Sequence, residues 1–236
     1  DTMTVDAGNY KNMPTTMPDF TDAGTHVVYY YAVCDNYKPV PGTVNVNILP
    51  APLTAIIPDE VLTYGDDPKA LMDELQTAET KNEQFTFKGF VSGDTAEKAL
   101  TQGNEPVFAT SCARYDNVGM YQITASGLAA KNYSISYQPG RLTVNPKAVS
   151  FTWPATDYTY SGAEQQIMAS VAGKAREEDE VEAGVYSGNK AIAAGTYTAQ
   201  VTALTGAAAG NYIIAEGEET ATDKWTIAKA QNRFII

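Results

Sequence analysis

His26 is the only histidine in the sequence, so general acid–base chemistry near neutral pH would have to start there. It stands two residues after Gly24, and in two later stretches of similar layout that position, counted from Gly119 and Gly195, holds Tyr121 and Tyr197. A residue that replaces tyrosine in an alternating run reads as a strand side chain, not as a catalytic base. The two cysteines, Cys34 and Cys112, fall in different repeats, which argues against a disulfide; Cys34 has no histidine beside it except His26, so a cysteine nucleophile lacks its activating base. With no Cys/His cluster, zinc is excluded.

Carboxylates are the remaining chemistry. Asp66-Asp67 and the acidic run from Glu177 to Glu182 could act as paired acids or hold calcium, but both lie in predicted turns. The run lacks the spaced aspartates and glycine of a calcium loop, so a solvated acidic face is expected. Lys88 and Asn145 have the chemistry of an intramolecular isopeptide cross-link, which requires adjacent strands. The sequence therefore offers no catalytic, cofactor-binding or metal-binding residue, leaves ligand-binding residues unidentified, and is read as non-enzymatic.

The elements around these residues repeat. Each copy has a small-residue turn ending in Gly, an alternating strand, an Asn-Tyr pair and a closing β-prone run: Gly24 with Asn36-Tyr37 and Val44, Val46, Ile48; Gly119 with Asn132-Tyr133 and Leu142, Val144; Gly195 with Asn211-Tyr212 and Trp225, Ile227. Tyr197, Ala199, Val201 and Ala203 alternate with Thr198, Gln200 and Thr202; Tyr133, Ile135 and Tyr137 alternate with Ser134 and Ser136. Sheets wetted on one face are implied, with antiparallel pairing and a Gln138-Pro139-Gly140 turn between the last two strands of the second copy. Recurring Tyr29, Tyr31, Tyr37, Tyr121, Tyr133, Tyr197 and Tyr212 are expected in cores, and Tyr30, of opposite parity, is expected to be exposed. Asp67-Pro68 opens an inserted helix through KALMDELQTAE; Asp94 with Glu97 suggests a second short helix with a capping box.

Several partner classes are excluded by charge and hydropathy. Sixteen Lys+Arg against 28 Asp+Glu give a net charge of -12, unfavourable toward nucleic acid and anionic lipid. No apolar run is long enough for a membrane helix, so membrane insertion is not expected.

The motifs LTYGDDP, FTFKGFVSGDTAEKAL and GMYQITASGLAAKNYSISYQPGRLTV together resemble the bacterial MBG-type (YGX-type) repeats, with a sister subtype after residue 148 and the closing half of another over residues 20 to 50. The resemblance implies a stalk or adhesive segment of a large secreted or cell-wall-anchored protein, and it carries no catalytic or ligand residue. The expected organisation is mainly β, in tandem small β-modules: the C-terminal part of a truncated module at 1–50, a complete module with the inserted helix at 51–147, a complete module at 148–229, and the start of a next module or a tail at 230–236. An immunoglobulin-like sandwich is favoured, with a β-grasp-like sheet carrying one short helix as the alternative. Expected partners are neighbouring modules of the same chain, with an extracellular glycan or protein as the alternative; no cofactor is expected.

Overall fold

A computed structural model describes residues 18–77, 84–91, 93–155 and 157–232. The chain is mainly β, with several sheets, consistent with a β-sandwich. In order come β1 (Gly24–Ala32), β2 (Val40–Ile48), β3 (Ala51–Ile56), β4 (Glu60–Thr63), helix α1 (Pro68–Thr77), β5 (Thr86–Lys88), helix α2 (Ala96–Ala99), β6 (Val107–Thr110), β7 (Gly119–Ser126), β8 (Tyr133–Gln138) and β9 (Gly140–Asn145). There follow β10 (Lys147–Thr152), β11 (Tyr158–Thr159), β12 (Gln165–Gln166), β13 (Ser170–Ala172), β14 (Glu182–Ser187), β15 (Lys190–Ala191), β16 (Gly195–Thr205), β17 (Tyr212–Ile214) and β18 (Thr222–Ala228). The chain divides into two compact units: residues 1–58, 75–108 and 124–139 form one, and 59–74, 109–123 and 140–236 the other.

In the first unit β1 and β2 form an antiparallel hairpin, and β3 lies between β5 and β8. The hairpin buries little. Tyr29 is 37 % exposed and Tyr37 77 %, so the expectation that these two sit in a core is corrected. Tyr30 is 49 % exposed as expected, though Tyr29 on the opposite face is exposed too, and the Tyr30 ring lies over Gly42, the residue opposite it in register. A Cβ at position 42 would stand 2.3 Å from the ring, so Gly42 is what lets tyrosine fold across the ladder. The β3 sheet has a real core: Leu53, Leu100 and Tyr133 are buried, with Phe87, Phe90, Leu128 and Ile135 packed on them. Phe85 stacks on Phe108 at 5.2 Å.

In the second unit β9 lies between β4 and β7; β10 lies between β13 and β17; and β18 and β16 fill the sheet ordered β11-β18-β16-β14. Ile167, Ala199, Trp225 and Ile227 make a buried cluster, with Trp153, Tyr158 and Tyr197 against it. Each indole N–H has a carbonyl acceptor: Trp153 donates to Thr220 and Trp225 to Gly188, so neither ring is buried with an unpaired donor.

Alternation predicted the buried faces correctly. Tyr197, Ala199, Val201 and Ala203 of β16 turn inward while Thr198, Gln200 and Thr202 are exposed, and β8 alternates as its Tyr/Ile and Ser positions require. Strand direction is different. Pairings such as β7 with β9 and β16 with both β14 and β18 are antiparallel as expected, but β3 runs parallel to β8, β4 to β9, β10 to β17 and β11 to β18. Alternation fixes which face is wet and is silent on which way the neighbour runs. Nor do β8 and β9 form a hairpin: only Pro139 separates them, too few residues for a turn, and they belong to different sheets. Pro58 lies between β3 and β4, and Pro154 lies between β10 and β11.

Helix α1 starts as predicted, with Asp67 Oδ1 accepting the Lys69 N–H at 3.0 Å. Helix α2 lies where the second helix was expected, but its N-cap is Thr95, which makes no side-chain cap bond, so the capping box is absent. Asp94 is used elsewhere: it accepts the Tyr133 hydroxyl.

Candidate functional site

The chemistry-bearing residues do not converge. His26 is half-buried, stacked on Phe20 at 4.3 Å, and its Nε2 carries a proton toward the Asp22 carbonyl at 2.8 Å. Tyr121 and Tyr197 do the same job, their hydroxyls donating to the carbonyls of Asn117 and Ala193 at 2.7 Å. In all three the donor braces the turn four residues back. Cys34 is exposed and Cys112 buried, both free, and burial pushes the Cys112 thiol up. Asp66 accepts the Thr63 N–H and Asp67 caps α1. Lys88 and Asn145 stand on β5 and β9, strands of different sheets. Among the described residues no group of three or more His, Cys, Asp or Glu side chains is placed to hold a metal.

The acidic run departs from its expected solvated face at one residue. Glu177, Glu178, Glu180 and Glu182 are exposed, but the Asp179 side chain is only 1 % exposed. Its Oδ2 accepts the hydroxyls of Tyr64 at 3.0 Å and Tyr212 at 2.5 Å; its Oδ1 accepts Nη2 of Arg176 at 2.8 Å. Burial pushes the carboxyl up, yet the bonds from Tyr212, Arg176 and Tyr64 outweigh it and hold the group below the usual carboxylate range. The same burial, reinforced by the carboxylate, pushes the Tyr212 hydroxyl up to about 12. Both oxygens are thus occupied by the protein's own donors. With the Arg176 Nε–H also donating to Oδ1 at 3.1 Å, four donors fill the carboxylate, which fixes its geometry.

This centre lies wholly in the second unit and is tightly sleeved. Tyr64 and Tyr212 meet edge-on at 5.3 Å, and the guanidiniums of Arg114 and Arg176 both lie 5.1 Å from the Tyr115 ring. Tyr115 has φ 71°, a left-handed conformation that packing of its ring must sustain. Gly65, at φ 97°, lets the loop of Ala175 approach so closely that a Cβ there would lie 2.6 Å from the Ala175 methyl. Arg114 holds the same glycine through its carbonyl at 2.9 Å.

Beside the carboxylate a second contact ties the same stretches of chain. Asn211, buried, accepts the Val118 N–H through Oδ1 at 2.9 Å and donates from Nδ2 to the Asn117 side chain. The first unit repeats this residue for residue. Asn132 accepts the Ala23 N–H at 2.8 Å and donates to the Asp22 carboxylate at 3.1 Å. In both, the Asn before Tyr grips the residue preceding the turn glycine, Gly119 or Gly24, and the side chain one position earlier. The following tyrosine also repeats its bonds: Tyr133 donates to Asp94 and accepts the Val91 N–H, as Tyr212 donates to Asp179 and accepts the Ala175 N–H. Asn36-Tyr37 has no such role, because it lies in the connection between β1 and β2.

Residues 53–143 match the family model of the MBG domain (YGX type). Over that stretch, less than half of its length, the chain is similar to the MBG domain. No curated protein and no solved structure matches the chain. Within the matched stretch, Tyr64, Gly65 and Asp66 act together as a structural device: the tyrosine reaches Asp179, the glycine admits Ala175, and the aspartate closes the turn on Thr63.

Sequence reasoning missed Asp179 and Arg176. The signal was available: Val181 and Ala183 share the parity of Asp179 and are buried with it, so the run alternates as a strand approach does.

Proposed function

We propose that the chain is a non-catalytic, surface-associated repeat region, a structural stalk of a bacterial secreted or cell-surface adhesin-like protein, located outside the cell. In this reading, residues 51–147 and 148–229 are complete modules, 1–50 closes an earlier one, and each module's principal partner is its neighbour. The observation that carries it is the repeated Asn grip, made once at Ala23 and again at Val118, each time from one repeat of the sequence to the turn of the repeat before it. Hydrogen bonds that recur in register across every repeat junction, one of them beside a buried carboxylate, are what a spacer needs and a pocket does not. The similarity to the MBG domain over 53–143 supports the same reading.

A second reading, glycan or protein binding, is favoured by one observation: Tyr29, Tyr30 and Tyr37 are all exposed on the first hairpin, with Val27, Val40 and Val44 exposed among them. The test is a binding screen of the whole chain against immobilised glycans and extracellular proteins. The spacer reading expects no saturable binding. Saturable binding that is lost in Tyr30→Ala or Tyr37→Ala would overturn it in favour of the second.

A further inference from the structure

The strands that present Tyr64 and Val118 to Asp179 and Asn211 recur, in the same register, later in the second unit. Between β4, β9 and β7, Leu62 pairs with Val144, Val144 with Gly119, and the Tyr64 N–H donates to the Asn145 carbonyl at 2.8 Å. Between β11, β18 and β16, Tyr158 pairs with Ile227, Ile227 with Gly195, and the Tyr160 N–H donates to the Ala228 carbonyl at 2.8 Å. Tyr160 therefore occupies the position of Tyr64, and Ala194 that of Val118 and Ala23. Their surroundings are opposite. Tyr64 is 2 % exposed and Tyr160 45 %. Among the described residues the Tyr160 hydroxyl and the Ala194 N–H donate to nothing, whereas their counterparts are bonded to Asp179 and to Asn211 or Asn132.

We propose that this edge, Tyr158–Tyr160 with Ala193–Gly195, is a docking surface for a further module of the same kind, which sets an asparagine side-chain carbonyl on the Ala194 N–H and a buried carboxylate on the Tyr160 hydroxyl. The proposal rests on the stalk reading and names its partner. The chemistry selects the occupant: both free groups are donors, spaced by the strand register that elsewhere in this chain takes an Asn and an Asp. Two departures shape the partner. Ala193 replaces Asn117 and Asp22, so the asparagine amide finds no side chain to donate to. Ser161 replaces Gly65, so a partner loop seated as Ala175 is must give way to a Cβ.

The test carries the full chain past Lys229 into a second copy of its own residues 147–228, and reads amide exchange at Ala194 and N-acetylimidazole acylation of Tyr160. Docking slows Ala194 exchange at least about tenfold and lowers Tyr160 reactivity to that of Tyr64; Asn211→Ala in the appended copy alone returns the Ala194 amide to its original rate. Because Ser161 could obstruct this particular copy, the same chain is made with Ala175→Gly in the appended copy, and protection in either version supports the surface. An appended copy that is folded, by protection of its own β16 amides, while both sites stay as open as in the parent in both versions, overturns it. So does concentration-dependent protection in the unextended chain, which would assign the surface to a second molecule. A ligand captured in the binding screen would sink the stalk reading and leave these exchange results standing.

Discussion

The two asparagine grips use the same atoms and differ in what surrounds them. In the first unit Asn132 and Asp22 are joined by Lys131, an ion pair whose side chains are 68 % and 45 % exposed, and Asp94 accepts Tyr133. In the second unit Asn211 is buried, and the aspartate that accepts Tyr212 also takes Tyr64 and Arg176 and is sealed from water. The same motif is thus a wet clasp in one place and a dry one in the other. The difference teaches that the asparagine sets register while burial of the aspartate sets strength, since a hydrogen bond competes with water only where water reaches it.

The strongest way to break that comparison is Asp179→Ala. It leaves two buried tyrosine hydroxyls without their common acceptor and releases Arg176, whose side chain is 45 % exposed, to water, and the expected loss is about 2–5 kcal/mol. Both tryptophans, Trp153 and Trp225, lie in the second unit, so their fluorescence in a denaturant titration reads that unit directly. Asp94→Ala, followed by amide exchange in β3 and β8, should cost clearly less; equal losses would show that burial of the carboxylate is not what separates the two. pH sharpens the point. The depressed Asp179 carboxyl contributes stability that is fully present above about pH 4 and is lost as pH falls through its folded value, while the raised Tyr212 hydroxyl contributes stability present below pH 10 and lost as pH climbs to about 12. Asp179→Asn should flatten the acid limb of the second unit.

Next in size is Gly65→Ala. The left-handed φ and the 2.6 Å approach to Ala175 together predict a loss of about 2–4 kcal/mol. Gly162, at φ 82° with open space around it, should lose about half as much when made alanine, from backbone strain alone. Matching losses in thermal unfolding would mean that the close approach carries no weight.

These residues also mark how far the sequence could be read. The β content, the buried parity of β8 and β16 and the start of α1 followed from period-two alternation and cap chemistry, both local properties. Parallel pairing, the sheet change at Pro58 and Pro139 and the tyrosine partners of Asp179 did not, because each depends on what a distant stretch of chain lays alongside. His26 shows the middle case. Its equivalence to Tyr121 and Tyr197 was legible from spacing, and its bond to the Asp22 carbonyl was not. The asparagine grip stood in the sequence as a recurring Asn-Tyr pair whose partner could not be named, and at Asn36 the same pair misled, since a chain that turns directly into β2 leaves it in a loop.

Asn211→Ala against Asn132→Ala tests whether register and strength separate. Losing a buried amide that serves two partners should cost the second unit about 1–3 kcal/mol, and losing its half-exposed counterpart about 1 kcal/mol in the first. Amide exchange at Val118 and Ala23 gives the direct reading, with both rates rising and Val118 rising more. A larger rise at Ala23 would reverse the ranking.

The smallest effect should come from Lys131→Ala. The Lys131 ammonium reaches Asp22 at 2.5 Å and hydrogen-bonds it strongly enough to hold that carboxyl below its usual range, with Asn132 adding to the shift. Both side chains stand in water, however, so the attraction is offset by ordering two exposed chains and is screened by salt. Stability should be unchanged within error and Ala23 exchange should rise only slightly, most visibly at low ionic strength, because Asn132 alone carries the bond to the Ala23 N–H. If removing the lysine opened Ala23 as fully as removing the asparagine does, the wet clasp would be an ion pair with an amide attached, and the shared asparagine would no longer explain why both repeats close in the same register.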